Sequence, residues 1–158
     1  MQIKIQKLDA RATFAKAKPG DAGWDLSLCS VYFDQSAELW VGSLGVIVEP
    51  PKGYFFQLVA RSSLAILGWR IANGVGIIDE GYRGTWCAIL EPRSNERGAL
   101  PVHQSYPSNA DLYQHFADKL IGRRICQAIL LPRVEAEVTE ALPSTTERGT
   151  AGFGSTGA

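Results

Sequence analysis

A tripeptide in the middle of the chain carries side chains that suit a phosphate. Arg61, Ser62 and Ser63 follow an apolar run and open a short helical stretch. A guanidinium beside two hydroxyls at the start of a helix offers several donors to an anion. Capping of the helix explains the two serines equally well, so both readings stay open on the tripeptide alone.

The segment 73–84 is rich in glycine and contains a candidate base. Its glycines predict a hairpin whose backbone a ligand can approach closely. Asp79 follows two apolar residues at the end of a strand. We therefore expect Asp79 either to lie against an apolar wall, where it can act as a general base, or to be an ordinary turn aspartate.

The C-terminal residues 148–158 form a glycine-rich tail. The stretch 152–157 matches the GxGxxG pattern of dinucleotide-binding folds, but that pattern requires a strand before it and a helix after it, and neither is predicted here. Arg148, Ser155 and Thr156 are phosphate donors, and Phe153 could stack on a base. The alternative is a mobile terminus with no ligand.

Two further polar residues lie in apolar strand patterns. Asp25 stands at the start of one such strand, and Gln127 stands among apolar neighbours in another. A glutamine in this position often only satisfies backbone groups. The three cysteines and two histidines lack the spacing of a zinc site, and the cysteines are expected to be reduced thiols of a cytoplasmic protein.

Composition limits the classes of function. The chain has 158 residues, which is one domain, and its 16 Lys and Arg balance its 16 Asp and Glu. A net charge of zero argues against a general nucleic-acid binder but allows a small anionic ligand. No apolar run approaches the ~20 residues of a membrane span, and no signal peptide is predicted.

Short apolar runs between glycine and proline turns predict an all-β sandwich, barrel or jelly roll. The runs are 3–8, 26–33, 44–48, 54–60, 85–90, 125–131 and 134–138. Two segments interrupt this pattern and are predicted to be helical. They are 62–68, capped by Ser62 or Ser63 and ended by Gly68, and 108–120, whose apolar residues recur every fourth position.

The order of these features resembles that of a known family. The features are, in order, Asp25, the tripeptide at Arg61, the segment 73–84, Arg-Ile-Cys-Gln ending at Gln127, and the tail from Arg148. Together they resemble the five ordered motifs of the trimeric dUTPases, from residue 22 to residue 157. The N-terminus and an insertion at about 93–122 look like the phage and prophage branch of that family.

The resemblance implies a distorted jelly-roll β-barrel of the dUTPase type, with one short helix and a helical insertion. It implies a single domain over 1–147 and a tail, 148–158, that closes active sites lying between the subunits of a homotrimer. The implied activity is Mg²⁺-dependent hydrolysis of dUTP to dUMP and pyrophosphate, which lowers dUTP and supplies dUMP for dTMP synthesis.

By the same resemblance, Asp79 is the general base that orients the attacking water, and Asp25 holds water near the metal–triphosphate. Mg²⁺ is then held by phosphates and water, with no direct protein ligand. The remaining implied contacts are Arg61, Ser62, Ser63 and Gln127 on phosphates; Asn73, Gly76 and Ile78 on uracil; Tyr82 under the deoxyribose; Arg148, Ser155 and Thr156 on the γ-phosphate; and Phe153, next to Gly154, on the uracil face.

Three positions depart from the family pattern, namely Trp24, Gly81 and Ala151, and none removes a group with a chemical role. One alternative is dCTP deaminase, which carries a glutamate where Ile89 stands here, with Glu91 two residues further on. The dUTPase-like tail argues against it. Another alternative is a catalytically weak or dual-role member whose insertion at 93–122 binds a regulatory protein.

Overall fold

The computed structural model describes residues 1–93, 114 and 117–146. The strands are β1 (Lys4–Lys7), β2 (Gly23–Ser27), β3 (Ser30–Asp34), β4 (Leu39–Ser43), β5 (Val46–Glu49), β6 (Tyr54–Ala60), β7 (Trp69–Ile71), β8 (Gly76–Ile78), β9 (Cys87–Pro92) and β10 (Arg124–Pro132), and helix α1 spans Ser62–Ile66. The expected all-β architecture with one short helix is confirmed for the described residues.

The strands form two four-stranded sheets and one two-stranded sheet. The first four-stranded sheet has the order β2-β10-β6-β8, the second has the order β3-β4-β9-β7, and β1 pairs with β5. All these pairings are antiparallel. The buried side chains of both large sheets belong to one hydrophobic core. A functional residue on a strand of either sheet is therefore anchored to that core through its alternate neighbours.

Strand β6 shows why the sequence forms this sheet. Its residues alternate, so that Phe56 and Leu58 are fully buried while Gln57 and Val59 remain partly exposed. The next strand in space, β10, pairs with β6 on one side and with β2 on the other. Because β10 lies between β2 and β6, residues that are far apart in the sequence lie side by side across these three strands.

Two of the apolar runs do not form strands as expected. The run 26–33 is interrupted at Leu28 and Cys29, because β2 pairs with β10 while β3 pairs with β4 in the other sheet. Both residues at this crossing are buried, which explains their apolar character. The run 134–138 is not a strand, and both of its valines are exposed.

The hairpin predicted for 73–84 is wrong. Strand β7 pairs with β9 and strand β8 pairs with β6, so the turn at Asn73 and Gly74 carries the chain from one sheet to the other. Gly74 has φ +70°, a left-handed conformation that glycine adopts without strain. The glycines do form a turn, as predicted, but this turn joins β7 of one sheet to β8 of the other and does not join two strands that pair.

The predicted serine cap of α1 is also wrong. The N-cap residue is Arg61, and it forms no side-chain capping hydrogen bond. Ser62 and Ser63 are the first two residues of the helix itself. Gly68, with φ +81°, follows the C-cap residue Leu67, and this end of the helix is as predicted.

Much of the predicted helix at 108–120 lies outside the described residues, as do most of the insertion and the tail from residue 147. Within that helix Gln114, Ala117 and Asp118 are helical, and Ala117 is buried. The three cysteines are all described and are free thiols, as expected. Among the described residues, no helix has the length and apolar character to cross a membrane.

Gly42 of β4 lies where the core has no room for a side chain. A Cβ atom at this position would be 2.5 Å from Cδ1 of Leu28 and 3.2 Å from Cδ1 of Leu90. We expect Gly42→Ala to lower the free energy of unfolding by about 1–3 kcal/mol through overpacking, measured by urea denaturation. Gly81→Ala is the control, since a Cβ at Gly81 meets no atom within 4 Å. Equal stability of the two variants would contradict this account.

Candidate active site

Asp25 of β2 is the centre of a polar cluster. It is only 2% exposed, and three donors reach its carboxylate. Oδ1 lies 3.2 Å from Nε of Arg61 and accepts a 3.0 Å hydrogen bond from Nε2 of Gln127, while Oδ2 accepts a 3.0 Å hydrogen bond from Nη1 of Arg124. A buried carboxylate needs such donors, and these bonds fix the orientation of all four side chains.

This cluster has a net positive charge. One carboxylate faces two guanidinium groups, and the side chains of Arg61 and Arg124 are 26% and 49% exposed. Each guanidinium has five N–H donors, so several remain for a ligand on the solvent side. Ser62 and Ser63 adjoin Arg61, and their hydroxyls have no hydrogen-bond partner in the described part of the chain. The arrangement suits an anion that carries several oxygens.

Arg124 is a member of this cluster to which the sequence analysis gave no role, although it opens the Arg-Ile-Cys-Gln motif. Arg124 and Gln127 are three positions apart, which in a regular strand places them on opposite faces. The register of β10 against β2 shifts between Arg124 and Cys126, as in a β-bulge. The bulge lets both side chains reach Asp25, and no pattern in the sequence marks it.

A second candidate cluster surrounds Asp79. A cavity of about 240 Å³ is lined by Ile77, Ile78, Asp79, Tyr82, Cys87 and Ile89. Asp79 is the residue directly after β8, and its carboxylate has no hydrogen-bond or ionic partner among the described residues. Its backbone carbonyl accepts a 3.1 Å hydrogen bond from the N–H of Tyr82. The carboxylate is thus available to a ligand or a water at the edge of a largely apolar cavity.

Gly84 leaves room for the ring of Tyr82. Its ring is 44% exposed, and its hydroxyl donates a 3.2 Å hydrogen bond to the carbonyl of Thr85. A Cβ atom at Gly84 would lie 2.6 Å from Cζ of Tyr82, so the ring occupies the space that a side chain at Gly84 would need. The missing side chain therefore allows the ring to lie where it does, beside the cavity.

The other residues expected to bind uracil lie along β8 and the turn before it. Asn73 is exposed in that turn, and Gly76 pairs with Leu58 of β6. Ile78 is buried on the inner face of the sheet and also lines the cavity. The expected tail contacts, Arg148, Phe153, Gly154, Ser155 and Thr156, lie outside the described residues.

The two clusters are well separated within one chain. Asp25 is aligned with Gln127 and Val59, whereas Ile78 is aligned with Phe56, three residues further along β6. In the strand order β2-β10-β6-β8, the strands β2 and β8 are separated by three strand spacings. Three strand spacings correspond to about 14 Å across the sheet, and three residues correspond to about 10 Å along the strands. At right angles, these displacements place Asp25 and Ile78 about 17 Å apart. The Asp25 cluster and the Asp79 cavity therefore lie at different places on one chain.

Relatives with known names identify the family. The deoxyuridine 5'-triphosphate nucleotidohydrolase of Nautilia profundicola is 32% identical over 160 residues, which cover 99% of each chain. The enzyme of the same name from Cutibacterium acnes is 38% identical over 148 residues, covering 89% of this chain and 82% of the relative. The chain belongs to the dUTPase family. No family model matches it.

Solved structures of phage dUTPases have the same fold. A Staphylococcus bacteriophage 80alpha dUTPase, solved with dUPNHPP, superposes with a TM-score of 0.68 at 23% identity and covers 99% of both chains. A mutant dUTPase of S. aureus phage phi11, solved with a structural Mg(II) ion, has a TM-score of 0.66 at 18% identity and covers 92% of this chain. The expected jelly roll of the dUTPase type is confirmed.

We expect Gly84→Ala to displace the Tyr82 ring, because the new Cβ would occupy the position of that ring. The ring is partly exposed and can turn into solvent, so the melting temperature should change little. NMR spectra of the Tyr82 ring would show the displacement. Gly81→Ala, in the same loop but with open space around its Cα, should leave the Tyr82 signals unchanged. Unchanged signals in both variants would refute this role for Gly84.

Proposed function

We propose that this chain hydrolyses dUTP to dUMP and pyrophosphate. The observation that carries the proposal is the carboxylate of Asp79, which has no partner among the described residues and lies at the edge of an apolar cavity, in a chain that belongs to the dUTPase family over nearly its whole length. A water oxygen attacks the α-phosphorus, the bond from that phosphorus to the bridging oxygen of the β-phosphate breaks, and pyrophosphate leaves. Asp79 orients the water and accepts its proton.

The remaining residues bind and orient the substrate. Phosphoryl transfer depends mainly on positioning and charge neutralisation, and the Asp25 cluster offers guanidinium, amide and hydroxyl donors for both. Tyr82 packs under the deoxyribose beside the cavity. The turn and strand containing Asn73, Gly76 and Ile78 read the edge of uracil. The tail residues from Arg148 to Thr156 complete the contacts to the phosphates and the base.

The Asp25 cluster fits a magnesium ion that is held indirectly. Both carboxylate oxygens already accept hydrogen bonds or an ion pair, so Asp25 would meet the ion through water rather than as a direct ligand. Mg²⁺ commonly keeps several waters and binds through substrate phosphates. When bound, the ion would supply charge neutralisation on the triphosphate.

The separation of the two clusters supports the expected homotrimer. Arg61 and Asp79 both act on the triphosphate in the proposed reaction, yet they belong to clusters about 17 Å apart within one chain, as the strand spacings give. A second copy must therefore supply one of the clusters to each active site. Cyclic association of identical chains satisfies this requirement at every site.

The surroundings of Glu91 argue against the deaminase alternative. Position 89, which lines the Asp79 cavity, is an isoleucine. Glu91 does not line that cavity, and its Oε1 instead accepts a 2.6 Å hydrogen bond from Nε of Arg70 across the β7–β9 pair. The described residues thus offer no glutamate for attack on the cytosine ring. Binding of a regulatory protein by the insertion stays a prediction, because most of 93–122 is not described.

The purified protein should release pyrophosphate from dUTP in the presence of Mg²⁺ and lose this activity with a chelator. Turnover of dCTP, dTTP and UTP should be at background, and no ammonia should appear from dCTP. We expect Asp79→Asn to lower kcat by about 10²–10⁴-fold, the usual contribution of a general base, with nucleotide binding largely retained. Asp34→Asn, a matched change on the other sheet, should have normal kcat. Ammonia from dCTP, or near-normal kcat in Asp79→Asn, would overturn the proposal.

Sharing of sites can be tested by mixing two inactive variants. Asp79→Asn and Arg61→Gln chains, unfolded and refolded together, should recover activity because some sites receive both intact residues from different chains. Random mixing in equal amounts should give about a quarter of wild-type activity in a cyclic oligomer. Each variant refolded alone is the control. Absence of recovered activity in oligomers shown by mass spectrometry to contain both chains would argue that one chain builds the whole site.

A further inference from the structure

We infer that Glu80 is a positioning residue for Asp79 and Tyr82, which it holds in place through the backbone of the loop 79–84. This inference rests on the proposed function. Glu80 does not touch the Asp79 cavity, and its side chain lies on another side of the loop.

Asp79 depends on its backbone for its position. Its carboxylate has no partner in the described part of the chain, so no side-chain contact there orients it. Strand β8, which precedes it, has only three residues and is an edge strand that pairs with β6 alone. A three-residue strand with one neighbour has few contacts that could hold the residue after it in place. The next residues in the chain must therefore supply the anchor.

Glu80 supplies that anchor through its carboxylate. Oε2 accepts a 2.9 Å hydrogen bond from the N–H of Gly53 in the turn between β5 and β6, and it lies 3.4 Å from Nη2 of Arg133. The N–H of Arg133 in turn donates a 2.8 Å hydrogen bond to the carbonyl of Gly53. Glu80 is thus joined to two neighbouring elements of the sheet at one corner.

Arg83 makes the loop behave as one unit. Its Nη1 donates to the carbonyls of Glu80 at 2.7 Å and of Tyr82 at 2.9 Å. The Asp79 carbonyl accepts the Tyr82 N–H, which closes the same turn from the other side. A loop tied in this way transmits a displacement of Glu80 to both of its neighbours that act on the substrate.

The environment of Glu80 shows that it acts indirectly. Its side chain lines a separate cavity of about 430 Å³ together with Glu49, Lys52, Arg83 and Arg133. The cavity next to Asp79 is lined by other residues. A shift of about 1 Å in a catalytic group can cost about 10²-fold in rate, so an anchor without substrate contact is still important to catalysis.

The test compares three variants of the full chain. Glu80→Ala removes the anchor, and kcat for dUTP should fall by about 10- to 100-fold. Glu80→Gln keeps an oxygen that accepts the Gly53 N–H and should retain most of kcat. Glu135→Ala is the matched control, because it removes the other carboxylate on Arg133, at 2.6 Å, without touching Gly53. It should have normal kcat.

Hydrogen exchange of the amides 79–84 gives a readout that does not depend on activity. Exchange should be faster in Glu80→Ala than in wild type, and unchanged in Glu80→Gln and Glu135→Ala, with similar melting temperatures throughout. Normal kcat or unchanged exchange in Glu80→Ala would overturn the inference, and so would a loss in Glu80→Gln as large as in Glu80→Ala. If the wild-type protein did not hydrolyse dUTP, the proposed function would fail. The hydrogen-exchange comparison would still test whether Glu80 holds the loop 79–84 in place.

Discussion

The antiparallel pairing of β10 with both β2 and β6 is the constraint on which the rest of the site depends. It places Gln127 opposite Asp25, and the bulge near its start adds Arg124. The carboxylate of Asp25 is almost fully buried and needs these donors, while the guanidinium groups reach solvent with donors to spare. The two arginines therefore have two roles at once. They neutralise the buried carboxylate of Asp25, and they present positive charge to solvent.

The same sheet keeps Asp79, the proposed base, apart from that charge. Asp79 leaves the edge strand β8, at the far side of the sheet from β2 and further along the strands. An aspartate close to Arg61 and Arg124 would be neutralised by them, and its carboxylate would not be available to a water molecule. Because Asp79 is held through the backbone of its loop instead, the carboxylate stays open. In the proposed reaction, association between chains brings the two clusters together.

Particular residues show how far sequence reasoning reaches. The run 54–60 predicts β6 with its bounds, because alternation of buried and exposed residues is a local property. The run 26–33 and the segment 73–84 were misread at the points where the chain passes between sheets, since local patterns do not identify a strand's partner. Asp25 and Gln127 were singled out through their motifs, whereas the contact of Arg124 with Asp25 depends on the bulge in β10, which the sequence does not show.

The sequence by itself determined the family, the all-β class, and the residue types available for phosphate binding and proton transfer. These depend on composition, local periodicity and the order of short motifs. Only the tertiary structure decided that Asp25 is shared by two arginines, that Asp79 has no partner among the described residues, and that Glu80 is tied to Gly53. Such contacts join residues that are distant along the chain, and they depend on strand register, which one displaced residue in a bulge is enough to change.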